Sequence, residues 1–166
     1  MISSDVDLFE ILSEELRKKY GETDSKSDIM EFTQTGYYKE EMGEELKKFF
    51  ISFKELIEPS YIADVKLFTQ ELEEKYSING KRTINLDPGY IDEAKLVLAT
   101  TKDNQHRIYI ARSIFAEITL RFQGDTFCSW EWTYRDYKRE EYINYFIKVR
   151  DIFRSQMGRK QKKINI

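Results

Sequence analysis

One cysteine, one histidine and two prolines among 166 residues remove several classes of chemistry at once. A single cysteine excludes an internal disulfide framework and any zinc site built from clustered cysteines. A single histidine excludes a three-histidine zinc centre and the HExxH motif. Long apolar runs are missing too, and no segment approaches the ~20 residues that a membrane-spanning helix needs. The opening residues, Met1 to Asp7, are acidic and lack the basic start and apolar run of a secretory signal. A reducing, cytoplasmic setting is therefore expected, and the lone Cys128 fits it. With 27 basic and 30 acidic residues the net charge is −3, which argues against a general affinity for nucleic acid or anionic membranes.

What is abundant is aromatic surface. Eleven tyrosines, eleven phenylalanines and two tryptophans exclude intrinsic disorder and predict a core large enough to fold unaided. No repeat and no Gly/Pro/Ser-rich linker interrupts the chain, so one domain is expected over residues 1–158. A basic tail, residues 159–166, is expected to be disordered.

Ser4 and Asp5 can cap a helix that runs to Tyr20 and stops at Gly21, with Leu8, Ile11, Leu12 and Leu16 on one face. A short strand is expected over 28–33, followed by a polar connection to residue 45. Over 46–53, Phe49, Ile51 and Phe53 alternate with Lys48, Phe50 and Ser52, the pattern of a strand with one buried face, although a helical spacing also fits. Pro59 opens a helix whose stripe is Tyr61, Val65, Phe68, Leu72 and Tyr76, and Asn79-Gly80 ends it. Residues 82–87 read as a strand with Ile84 and Leu86 inward, and Pro88-Gly89 as a type II turn. Strands are predicted at 95–101 and 107–112 around a polar loop. A third spans 114–122, with Ile114, Ala116, Ile118, Leu120 and Phe122 on the core face and Phe115, Glu117, Thr119 and Arg121 on the other. A last helix covers about 139–157.

The order predicts an α+β fold, a mixed or antiparallel sheet with three helices and additional C-terminal strands and a helix. Its start reads as a ferredoxin-like split βαβ unit without its first, central strand.

Four polar clusters are candidates for function. Thr100, Thr101, Lys102, His106 and Arg107 lie within eight residues; they can hold a phosphate or carboxylate, or form a solvated hairpin loop. His106 is the one side chain here whose ordinary titration range suits proton transfer near neutrality. Asp87 and Glu117, at strand positions, can bind a divalent cation or act as acid and base; each is also an ordinary turn or strand residue. Tyr37 and Tyr38, with Glu41 three residues after Tyr38, can stack on a planar ring or cover the sheet. Trp130, Trp132, Tyr134 and Asp136 form an aromatic segment that suits either a stacking surface or a core cover. No P-loop, GxGxxG or GxSxG is present.

At these clusters the chain resembles an uncharacterised bacterial and archaeal domain-of-unknown-function family. The blocks that carry the resemblance are YYxxEMG at Tyr37–Gly43, LDPGY at Leu86–Tyr90, VLATTK at Val97–Lys102, HRIY at His106–Tyr109, AEhTL at Ala116–Leu120 and WTYPDY at Trp132–Tyr137, where this chain has Arg135 in place of proline. Some members are labelled GTP-binding, a label the absent P-loop puts in doubt. The resemblance implies an apolar strand just before Ile2, the strand that the element order lacks, so the chain is expected to start at an internal methionine or a misassigned start codon.

The expected function is binding of a phosphorylated or nucleotide-like small molecule. Lys102 and Arg107 would hold its anion, with Thr100 and Thr101 donating, His106 as acid/base, Asp87 and Glu117 as base or metal carboxylates, and Tyr37, Tyr38 and Tyr134 as a stacking wall. The alternative is a non-catalytic interaction or structural module that uses exposed aromatics. RNA binding would need a basic stripe running from Arg159–Lys163 across the sheet.

Overall fold

A computed structural model describes residues 1–33 and 39–164. The chain divides into two compact units, Met1–Pro88 and Gly89–Ile166.

The first unit runs β1 (Ile2–Ser3), α1 (Asp7–Tyr20), β2 (Thr23–Lys26), β3 (Met30–Glu31), a one-turn α2 (Lys39–Met42), β4 (Lys47–Lys48), β5 (Ile51–Phe53), α3 (Ile62–Lys75) and β6 (Ile84–Asn85). Its main sheet has the order β3-β4-β1-β6, and β2 pairs separately with β5. The central position that the sequence reading leaves empty is held by Ile2–Ser3, antiparallel to both β4 and β6. Order and direction both follow a split βαβ unit: β1 and β3 run parallel with antiparallel β4 between them. Leu8, Phe9, Leu12 and Leu16 of α1 pack with Phe49, Leu72, Ile84 and Leu86 in the core. The buried stripe is shifted from the predicted one: Phe9 is inside, and Ile11 is 45% exposed. Gly21 ends α1 with a positive φ of 84°, its N–H bonding the Arg17 carbonyl at 2.9 Å.

The predicted 46–53 strand is two strands in two sheets, because the chain crosses between them at Phe49–Phe50. Lys48, expected outside, is 2% exposed, and its ammonium lies 5.3 Å from the Phe32 ring. In α3 the inward face carries Lys66, Thr69 and Glu73 beside Ile62, Ala63 and Leu72, while Tyr61 is outside. Asn79-Gly80 does not cap α3, which ends at Lys75; it makes a tight turn that joins Ile78 to Lys81.

The second unit comprises β7 (Gly89–Ile91), β8 (Lys95–Thr100), β9 (Ile108–Ala111), β10 (Ile114–Gln123), β11 (Thr126–Ser129) and α4 (Glu140–Ile164). Pro88-Gly89 is not a type II turn. Gly89 has no positive φ and belongs to β7, and an added Cβ would sit 2.4 Å from the Val97 carbonyl oxygen. The sheet order is β11-β10-β8-β7, with β9 also on β10. Leu120 and Phe127 belong to the core of this unit, where Phe127 meets Phe146 of α4 edge to face at 6.5 Å. Arg150 of α4 stacks on Phe122 at 3.4 Å and donates to the Glu93 carbonyl at 2.8 Å. The helix continues to Ile164, through the basic segment predicted as a tail, since Arg, Lys and Gln are good helix formers and no proline intervenes.

Candidate functional site

The site of the second unit grows out of a change of partner along β10. β8 occupies one edge of this strand from Phe115 to Arg121. On the other edge β9 pairs with Ile114–Ala116 and β11 with Leu120–Gln123. In the interval, side chains take the strand's carbonyls: Trp132 Nε1 donates to Ile118 O at 3.1 Å, and Thr133 Oγ1 to Thr119 O at 2.7 Å. A bulge between Ile118 and Leu120 breaks the strict alternation. Glu117 and Thr119, predicted on the outer face, are nevertheless 3% and 0% exposed, with His106 and Arg107 against Glu117, and Ile118 is 39% exposed.

Into this interval the loop after β8 delivers His106 and Arg107. Arg107 Nε donates to Glu117 Oε2 at 2.8 Å, and His106 Nε2 lies 3.0 Å from the same oxygen. Thr119 Oγ1 donates to Glu117 Oε1 at 3.3 Å. Two further Arg107 donors reach the Lys102 carbonyl at 2.9 Å and the Tyr134 hydroxyl at 3.0 Å. Burial disfavours the Arg107 charge, but the hydrogen bonds to Glu117 and Tyr134 outweigh it and raise the pKa. His106 Nδ1 has no hydrogen-bond partner among the described residues.

A column of rings closes one side of the histidine. His106 stacks on Trp132 at 5.3 Å and 13°, Trp132 on Trp130 at 5.1 Å and 8°, and the Arg121 guanidinium lies 4.1 Å from the Trp130 ring centre. Arg121 Nε and Trp130 Nε1 are buried without hydrogen-bond partners among the described residues. With a ring on each of its faces, Trp132 offers no open stacking platform. Tyr134, 50% exposed, keeps ring surface in solvent.

The predicted residues thus separate. His106, Arg107, Glu117 and Tyr134 converge. Thr100 Oγ1 accepts from the Lys102 N–H at 3.2 Å, and Thr101 and Lys102 are exposed on the same loop. Asp136 is buried in the turn before α4, where its carbonyl accepts from Arg139 N. Tyr37 and Tyr38 lie outside the described residues.

Asp87 and Glu41 belong to a second polar cluster, in the first unit. Glu41 binds Arg82 through both oxygens, at 2.8 and 2.7 Å. Arg82 Nη1 donates to Asn85 Oδ1 at 3.0 Å, and Asn85 Nδ2 to Asp87 Oδ2 at 2.8 Å. Lys66 donates to the Leu86 carbonyl at 2.8 Å, and Glu73 accepts from Leu86 N at 2.5 Å. Desolvation works against ionisation of Asp87, but Lys66, Lys48 and the Asn85 amide together hold its carboxyl below the usual range. Burial raises the pKa of Glu73. Lys66 and Glu73 were missed in the sequence. Their signal was polar residues at i and i+7 on the helical face that carries Ile62 and Leu72.

Among the described residues no three His, Cys, Asp or Glu side chains are grouped to hold a metal ion. No described helix is long and apolar enough to cross a membrane. A family model described as Domain of unknown function (DUF4416) matches residues 1–153. The chain belongs to this family. No curated protein and no solved structure matches it. The DUF4416 match spans all of the first unit and the second unit as far as Phe153, so both polar clusters lie inside the family domain.

Proposed function

We propose that this DUF4416 chain is a cytoplasmic protein that binds a phosphorylated or nucleotide-like small molecule beside His106 and transfers a proton through that side chain. The observation that carries the reading is the orientation of the imidazole. Glu117 is buried, and Arg107 and Thr119 fix it in place, so it selects the tautomer with the proton on Nε2 and leaves the Nδ1 lone pair for a ligand. A carboxylate behind a histidine also stabilises the imidazolium that forms when Nδ1 takes a proton. Lys102, exposed on the same loop, supplies charge for an anionic group, and Tyr134 supplies a ring face. Arg107 is committed to Glu117, Tyr134 and the Lys102 carbonyl, so it acts as a positioning residue and not as an anion clamp.

The test is a thermal-shift screen with nucleotides and sugar phosphates, repeated on Lys102→Ala and His106→Gln. A ligand at one hundred times its Kd stabilises by about 2.7 kcal/mol. The expected result is a shift that Lys102→Ala weakens and His106→Gln preserves, with turnover lost only in the latter. A panel that shifts nothing, or shifts all three proteins alike, overturns the reading.

A further inference from the structure

We infer that the Tyr134 phenol is the acid that complements the His106 base, and that together they enolise a phosphorylated 2-hydroxy carbonyl compound. This inference rests on the reading of His106 as a proton-transfer group, to which it adds a second catalytic residue and a substrate class.

Arg107 and Glu117 form the middle of a hydrogen-bonded chain with a titratable side chain at each end. At one end His106 Nε2 meets Glu117 Oε2 at 3.0 Å; at the other Arg107 Nη2 donates to the Tyr134 hydroxyl at 3.0 Å. A guanidinium has donors only, so the phenol oxygen accepts this bond and its own proton must go elsewhere. No described residue accepts that proton, and Tyr134 is 50% exposed. It is therefore held out to solvent or to a ligand, as the Nδ1 lone pair of His106 is. One short segment reaches both groups. The Trp132 ring lies on the imidazole, and two residues later Tyr134 reaches the guanidinium. Between them Thr133 Oγ1 is tied to Thr119 O at 2.7 Å, and beyond them the Tyr137 N–H bonds the Tyr134 carbonyl at 3.1 Å. The phenol is thus carried on a fixed backbone.

Charge favours the use of both groups at once. When Nδ1 takes a proton the imidazolium forms beside Glu117, and when the phenol gives one up the phenolate forms beside Arg107. The central pair is 2% and 3% exposed, so each new charge meets its opposite with little screening. Removal of a proton from a carbon next to a carbonyl fits this arrangement, since it needs one base and one acid. His106 Nδ1 takes the proton, the C–H electron pair becomes the C=C bond, and the carbonyl π pair moves onto oxygen, which takes the Tyr134 proton. The product is an enediol, and reversal restores both side chains. Phosphoryl transfer fits less well, because the oxygens of the group in transit need several cations. With Arg107 committed to Glu117 and the Lys102 carbonyl, the loop brings one other cation, Lys102, to such a group. A single ammonium suits a phosphate that is held and does not react.

The probe is dihydroxyacetone phosphate in deuterium oxide with the full chain, its carbon-bound protons followed by NMR. Exchange is expected at least tenfold above the protein-free rate, and at the protein-free rate with His106→Gln or Tyr134→Phe. Glycerol 3-phosphate, with a hydroxyl in place of the carbonyl, is expected to raise Tm without exchanging. Tyr134→Phe keeps the ring, and its Tm is expected to rise with either phosphate as the wild type's does, which separates a lost acid from a lost fold. Exchange that survives Tyr134→Phe overturns the assignment of the acid, as does a Tyr134→Phe chain that binds neither phosphate. Wild-type exchange at the protein-free rate overturns the whole inference, while a Tm that still rises with either phosphate leaves binding beside His106 standing. A Tm that no nucleotide or sugar phosphate moves overturns both readings.

Discussion

Replacing Glu117 by Gln tests the central geometric claim, that a buried ion pair holds the second-unit site together. The Arg107 and Glu117 side chains are 2% and 3% exposed, so solvent screens their interaction little. Gln keeps the shape and one acceptor oxygen, but it leaves the guanidinium buried without a counter-charge. Removing one member of such a pair costs about 3–5 kcal/mol. Gln belongs at the lower end, because its carbonyl can still accept from Arg107 while its amide donates to Thr119. Leu belongs at the upper end, since Arg107 Nε and His106 Nε2 then lose their shared acceptor. For a chain of this size, about 3 kcal/mol lowers Tm by roughly 6–12 °C. The double variant Arg107→Met/Glu117→Leu replaces the pair by apolar groups and should recover most of the Leu loss, a coupling that single substitutions cannot show. Urea unfolding followed by tryptophan emission is the assay, because both tryptophans lie in the column against His106. A Glu117→Gln loss under about 1 kcal/mol, or a double variant as unstable as Glu117→Leu alone, refutes the argument.

Three further outcomes are expected. Gly89→Ala places a methyl against the Val97 carbonyl, and β7 must shift from β8; a loss of about 2 kcal/mol or more in urea is expected. Arg112→Asn with Ser113→Gly suits the left-handed turn between β9 and β10, and a gain of about 1 kcal/mol should appear as a higher urea midpoint. Hydrogen bonds from Arg82 lower the Glu41 pKa below its ordinary 4.5, so this pair contributes stability above that value and loses it as pH falls through the lower folded pKa. Glu41→Gln should flatten the acid limb of a stability profile measured from pH 7 to 3.

Sequence by itself determined the α+β class and placed β8, β9 and β10 within a residue or two, because alternation of apolar and polar side chains is a local property of a half-buried strand. It also picked out His106, Arg107, Glu117 and Tyr134, as the one histidine of the chain and as members of its polar and aromatic clusters. Tertiary structure decided which of them meet. Glu117 is buried because the loop after β8 lays His106 and Arg107 against it, and no spacing rule reveals that cover before the path of the loop is known. Lys48 is buried because the chain changes sheets one residue later, so the local alternation there described two strands as one. Gly89 looked like a turn residue and is a packing residue, its lost Cβ making room for the carbonyl of β8. The scarcity of cysteine and histidine excluded an internal disulfide and cysteine- or histidine-clustered zinc sites from composition alone; that the one histidine rests against a buried carboxylate, eleven residues of chain beyond it, is a fact of the folded sheet.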